Sequence, residues 1–224
     1  MDRGILSGGR AFSAFLFDMD GTLLSSVIAA ERVWARWASG HGLDIDAFLP
    51  TIHGVRAIDT VRRWVPPGFD AEAEASKVTL AEIEDVDGIA QIAGAEAFLS
   101  SLPENRWGIV TSAPRTLARR RLEAVGLPAP AVLITADDVT NGKPHPDCYR
   151  LAAQTLGFDA SDCLVFEDAP AGISAGEQAG ASVLVIRATH MHPLETAHPG
   201  IDDYDGLRVG VDADGSMRLH ISND

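Results

Sequence analysis

The chain is poor in cysteine and lysine, carries no surplus of positive charge, and has no apolar run long enough to cross a membrane. Each shortage excludes something. Two cysteines, Cys148 and Cys163, cannot make a disulfide framework for 224 residues, and neither stands in a C-x-x-C metal or redox spacing. A formal net charge of -14 repels polyanions, so nucleic acid and anionic membrane surfaces are not expected partners. The apolar run Ala14 to Phe17 is too short for a secretory signal core and ends at a charged residue, which makes a reducing, cytoplasmic location the expectation. The lysine shortage is the sharpest of these. Of 18 basic residues only Lys77 and Lys143 are not arginine, so a lysine marks a place where a compact ammonium is wanted.

At 46% hydrophobic content the chain can bury a sizeable core. Short apolar runs recur at Ala14 to Phe17, Trp107 to Thr111, Ala131 to Thr135, Cys163 to Phe166 and Ser182 to Ile186, and read as buried parallel strands. Amphipathic segments of helical length lie among them at Gly94 to Ser101, Pro114 to Val125, Asp147 to Leu156 and Ala171 to Ala179. The alternation predicts an α/β fold with a doubly wound, Rossmann-like parallel sheet. Between the first and second strands, Val27, Ala30, Val33, Trp34 and Trp37 recur at helical spacing, as do Ile58, Val61 and Val65. An inserted helical cap domain over residues 27–92 is expected, with residues 1–26 and 93–224 forming the core. Leu207 to Val211 and Met217 to Ile221 flank a Gly-containing loop and predict a C-terminal β-hairpin.

Four strand ends carry candidate chemistry. Asp18-Met-Asp-Gly-Thr22 follows the first strand, where the crevice of an open α/β sheet lies. Asp18 is placed to attack as a nucleophile and Asp20 to handle the proton, although D-x-D-G is also a common way to turn out of a strand. Thr111-Ser-Ala-Pro114 offers a hydroxyl and main-chain N–H groups at a helix start, so Thr111, Ser112 and Ala113 form a candidate phosphate cradle. An ordinary helix cap before Pro114 would use the same residues. Lys143 sits in Asn141-Gly-Lys-Pro-His-Pro146, stiffened by two prolines, and would neutralise phosphoryl oxygens and the Asp18 carboxylate. Glu167 and Asp168 follow the strand Cys163 to Phe166 and suit Mg²⁺, a cation that prefers oxygen ligands. Asp18, Asp20, Glu167 and Asp168 converging on one crevice would repel one another unless a divalent cation lay between them.

These segments, in this order, resemble the motifs of the haloacid dehalogenase superfamily: D-M-D-G-T, the strand-end T-S, K-P and E-D. The helical insert looks like the α-helical cap of its first cap class, and G-K-P-H-P-D-x-Y with V-F-E-D-A-P-A-G-I resembles its sugar, hexitol and glycerol phosphate phosphatase branch. The resemblance implies hydrolysis of a small sugar or polyol phosphate through a phospho-aspartyl intermediate, with Mg²⁺ held by Asp18, the Asp20 main-chain carbonyl and Asp168. It also makes His53, Gly54 and Arg56 the cap residues expected to meet substrate, in a monomer or weak homodimer. Dehalogenases of the superfamily lack the second acid, present here as Asp20. Phosphonate hydrolases need a cap lysine where His53 stands. A β-phosphoglucomutase-like mutase is the nearer alternative, but Ala30 occupies the position of its cap-entry histidine and the cap-loop arginine is displaced to Arg56. A non-catalytic regulatory or binding protein on the same fold is the alternative of another class. Ser25 or Ser26 stands where an Asp is common, and Ala113 where Gly is common, departures expected to tune hinge and cradle.

Overall fold

The computed structural model describes residues 4–190 and 193–221. Five strands with continuous buried runs form the centre: β1 (Ala14–Phe17), then, beyond the short β2 (Leu24–Ser25) and β3 (Ala90–Gln91), β4 (Trp107–Val110), β5 (Val132–Ile134), β6 (Cys163–Glu167) and β7 (Ser182–Ile186). With the short β8 (Gly200–Ile201) they make a six-stranded sheet of order β5-β4-β1-β6-β7-β8, in which every neighbouring pair is parallel. The chain steps outward from β1 through β4 to β5, then jumps back to β6 on the other side, which opens a crevice beyond the carboxyl ends of the central strands. The doubly wound parallel sheet predicted from the apolar runs is present. Strand β8 was not predicted, because two residues carry no period.

Side chains on each central strand divide between two cores, as period-two alternation requires. Phe15 and Phe17 of β1, Phe166 of β6 and Leu184 of β7 face one way, onto Phe98, Trp107 and Tyr204. Ala14, Leu16, Val165 and Val185 face the other way, onto Tyr149, Ala152 and Ile173. The first face is covered by α5 (Ala95–Ser100) and α6 (Arg115–Val125), and the second by α7 (Asp147–Leu156) and α8 (Pro170–Ala179). Phe17 stacks on Phe166 with ring centroids 4.3 Å apart. Each such fully buried side chain contributes about 1.5–3 kcal/mol, so the strand that ends at Asp18 is among the most firmly anchored parts of the molecule.

Between β1 and β4 lie α1 (Val27–Gly40), α2 (Ile45–Phe48), α3 (Ala57–Trp64) and α4 (Ala71–Glu84). Val33, Trp34, Trp37, Phe48, Val61 and Val78 pack into a third core that belongs to these helices. Helix α4 starts at Asp70, whose carboxylate accepts the N–H groups of Glu72 and Ala73. The chain leaves the core through β2 and returns through β3, and these two pair antiparallel, Leu24 with Gln91 and Ser25 with Ala90. At the C-terminal end, β9 (Leu207–Val211) and β10 (Met217–Ile221) form the predicted hairpin, and Phe12 bridges to Met217 beneath the sheet.

Candidate active site

The site begins where β1 stops. The Asp18 N–H still donates to the Phe166 carbonyl at 2.9 Å, continuing the ladder one residue past the strand. The chain then turns back, with the Leu23 and Leu24 N–H groups both returning to the Met19 carbonyl. Gly21 makes this turn at φ +90°, and a Cβ there would collide with the Asp168 carboxylate, so only glycine serves. Tyr204 donates its hydroxyl to the Thr22 carbonyl at 3.1 Å and braces the loop from below.

Asp18 is buried, and its Oδ1 accepts from Lys143 Nζ at 2.5 Å. Lys143 gives its other two N–H groups to Glu167 Oε1 at 2.7 Å and the Val110 carbonyl at 3.1 Å. Its side chain is 1% exposed, so the rare lysine is a buried, fully bonded cation. Glu167 is more constrained still. Oε1 also accepts from the Tyr149 hydroxyl, and Oε2 accepts the N–H groups of Asp168 and Ala169. Four donors leave Glu167 little capacity for a further ligand and give it a fixed orientation. Asp168 is freer, with Thr22 Oγ1 at 3.4 Å from its Oδ1.

Ligand oxygens of Asp18, Glu167 and Asp168 lie within 4.8 Å of one another. Three carboxylates face one ammonium. Burial raises the Asp18 carboxyl to about 8 despite the opposing pull of Lys143, and burial with the Glu167 charge drives Asp168 well above the carboxylate range. Such a cluster binds protons for lack of positive charge. Oxygen donors with an unbalanced negative charge are what a hard divalent cation takes, so the residues present fit Mg²⁺.

Asp20 stands on the other side of the turn. Its Oδ1 accepts from Ser26 Oγ at 2.6 Å and lies 2.9 Å from Arg121 Nη1. Neither partner was expected from the sequence. Arg121 lies on the buried face of α6 with Leu117, Ala118 and Leu122, and an arginine at an apolar-face position was the signal available.

A cavity of about 660 Å³ opens above Asp18, Asp20 and Asp168 and is closed over by the helical layer. Thr111, Ser112 and Ala113 line it, as do His53 and Gly54. The cradle differs in detail from expectation, because the Ala113 N–H is taken by Thr111 Oγ1 and is not free for an anion. Ser112 Oγ donates to the Gly54 carbonyl at 3.0 Å, and Gly54, at φ +72°, approaches Ala169 so closely that a Cβ would clash. The loop around Gly54 therefore rests on the strand ends. Arg56 is the expected residue that the structure takes elsewhere. Its guanidinium bonds Asp59 and the carbonyls of Val139 and Thr140, so it latches the helical layer to the core and does not line the cavity. Trp34 belongs to the helical core and also reaches the cavity wall, whereas Trp37 is core alone.

Carboxylate chemistry at the head of a doubly wound sheet, roofed by inserted helices, is the architecture of a capped α/β hydrolase. The chain belongs to the haloacid dehalogenase-like hydrolases, whose family model matches residues 12–180. Hexitol phosphatase A of Escherichia coli is 44% identical over 178 residues, 78% of this chain and 82% of that protein. The 2-deoxyglucose-6-phosphate phosphatase 1 of Saccharomyces cerevisiae is 35% identical over 199 residues, covering 78% of this chain and 80% of its own. A β-phosphoglucomutase structure from Clostridium difficile overlays with a TM-score of 0.77 at 22% identity, covering 88% of this chain and 93% of that one, which is a likeness of fold.

Proposed function

We propose that the chain is a Mg²⁺-dependent phosphatase of small sugar or polyol phosphates, with Asp18 as nucleophile and Asp20 as proton carrier. The observation that carries this reading is the pairing of two differently held carboxylates on one turn: Asp18 fixed by Lys143, Asp20 fixed by Ser26 and Arg121. The names of the relatives fit it, since those reported act on hexitol and deoxyglucose phosphates.

In this account a free Asp18 oxygen attacks phosphorus while the bond to the substrate alcohol breaks, leaving the phosphoryl group on Asp18. Asp20 gives its proton to the departing oxygen, then takes one from the water that attacks the aspartyl phosphate. The Ser112 hydroxyl, on the cavity wall, would donate to the phosphoryl oxygens, and the charge of Lys143 would act on them through the Asp18 carboxylate that it holds. Asp18, Asp168 and the Asp20 main-chain carbonyl would hold Mg²⁺, with Glu167 orienting Lys143 and the Asp168 backbone. The bound cation would neutralise the carboxylates and draw off charge from the phosphoryl oxygens. Residues 27–92 act as the cap, with His53, Glu31 and Trp34 meeting the distal part of the substrate.

Hydrolysis is favoured over mutase chemistry by the lining. Among the described lining residues the one Lys or Arg is Arg121, already held by two carboxylates, so no uncommitted Lys or Arg among them is left to grip a second phosphate. Replacing Asp18 by Asn removes the nucleophile with little change of shape. Phosphate release from sorbitol 6-phosphate with Mg²⁺ is expected to fall by at least about 10³-fold while the unfolding midpoint holds. Retention of a tenth or more of the activity, roughly, would end the nucleophile assignment.

A further inference from the structure

Arg121 occupies a place where a charge is costly. Its neighbours Arg119 and Arg120 reach solvent, but Arg121 is buried on the apolar face of α6. Its guanidinium spans two carboxylates from separate parts of the fold: Nη1 lies 2.9 Å from Asp20 Oδ1, and Nη2 donates to Glu82 Oε1 at 2.8 Å. Glu82 is itself buried, in the last turns of α4. Ser26 donates to the same Asp20 oxygen that Arg121 grips, whereas Oδ2 takes no hydrogen bond among the described residues.

We propose that Arg121 is the positioning residue of the proton carrier, fixing Asp20 by one oxygen and tying that fix to the cap through Glu82. The proposal rests on the reading of Asp20 given above. Two donors on Oδ1 set the rotation of the carboxyl group and leave Oδ2 to carry the proton. As the Asp18–phosphorus bond forms and the bond from phosphorus to the alcohol oxygen breaks, that proton passes from Oδ2 to the leaving oxygen. The planar fork holds the two acids from two separate nitrogens in fixed directions, an orientation that a lysine's single ammonium does not set. Since Glu82 stands on α4, the fork is complete only while the cap lies against α6.

The test uses two leaving groups. A sugar alcohol needs a proton to depart, whereas 4-nitrophenolate does not. For Arg121→Met, kcat/KM on sorbitol 6-phosphate should fall about a hundredfold, mostly in kcat. The same variant should still release one equivalent of nitrophenolate per enzyme from 4-nitrophenyl phosphate, at a rate within about fivefold of wild type, and then turn over slowly because aspartyl phosphate hydrolysis also needs Asp20. Arg121→Lys, which keeps the buried stem and charge, should fold normally and show the same split at reduced size. Glu82→Gln should show it too, through the loosened fork. Equal losses on both substrates in folded Arg121→Lys, or no loss on either, would overturn the proposal. Asp18→Asn separates this from the underlying reading. A stoichiometric nitrophenolate burst from that variant would refute the aspartyl intermediate, whatever Arg121 does.

Discussion

Lys143→Met removes a charge while keeping most of the volume, and its effect can be worked from the contacts. The ammonium is buried and spends all three N–H groups on Asp18, Glu167 and the Val110 carbonyl. Taking one member from a buried ion pair typically costs about 3–5 kcal/mol, because the remaining charge stays in a poor solvent. Here two carboxylates lose their partner, so the upper part of that range is expected in metal-free buffer at pH 8. At pH 6 the loss should shrink, since Asp18, already raised to about 8 by burial, can take up a proton instead. Mg²⁺ should then stabilise the variant more than the parent, because three carboxylates without the ammonium make a stronger cation site; each tenfold gain in affinity adds about 1.4 kcal/mol at saturation. Urea unfolding with EDTA or Mg²⁺ at the two pH values measures all of this. A loss below about 1 kcal/mol at pH 8, or the same Mg²⁺ gain in both proteins, would refute the charge balance on which the site is built.

The wild-type protein in EDTA should lose stability as pH rises from about 5 to about 8. Burial raises Asp18 and Asp168, so the folded state holds their protons more tightly than the unfolded chain; that contribution is complete below the unfolded pKa near 4 and is gone above the folded one. Asp85, lowered to about 2 by Arg32, works in the opposite sense but only at more acidic pH. Mg²⁺ should flatten the slope by competing with the protons, and unfolding midpoints across the pH series in EDTA that climb instead would contradict this origin. Gly21→Ala meets both a φ of +90° and the Asp168 carboxylate, so a loss of more than about 1 kcal/mol with weaker Mg²⁺ stabilisation is expected in the same unfolding assay; a neutral result would mean the turn is looser than it stands.

Much of the fold was legible because parallel strands buried on both faces are written as unbroken apolar runs. Trp107 to Val110 and Ser182 to Ile186 needed no period to be recognised, and the hairpin strands Leu207–Val211 and Met217–Ile221 matched residue for residue. The pair β2 and β3 escaped, because two-residue strands are defined by pairing across the chain and leave no local pattern. Within the site, Asp18, Asp20, Lys143, Glu167 and Asp168 were readable since each follows a recognisable strand or a stiff loop. What could not be read was distribution of work among neighbours. Glu167 spends its oxygens on four donors, and Arg56 turns to Asp59 and two carbonyls, choices that depend on groups far away in sequence. Arg121 was hidden in a run of three arginines, of which only its own register on α6 points inward.

The central claim is that phosphate passes through Asp18. Wild-type protein mixed with Mg²⁺ and sorbitol 6-phosphate, quenched in acid within the first turnover and digested, should yield the peptide containing Asp18 with one added phosphoryl group. Hydroxylamine treatment should convert that group to a hydroxamate at Asp18, and Asp18→Asn should yield neither product. Phosphate release at full rate with no phosphorylated Asp18 peptide at any quench time would contradict the account.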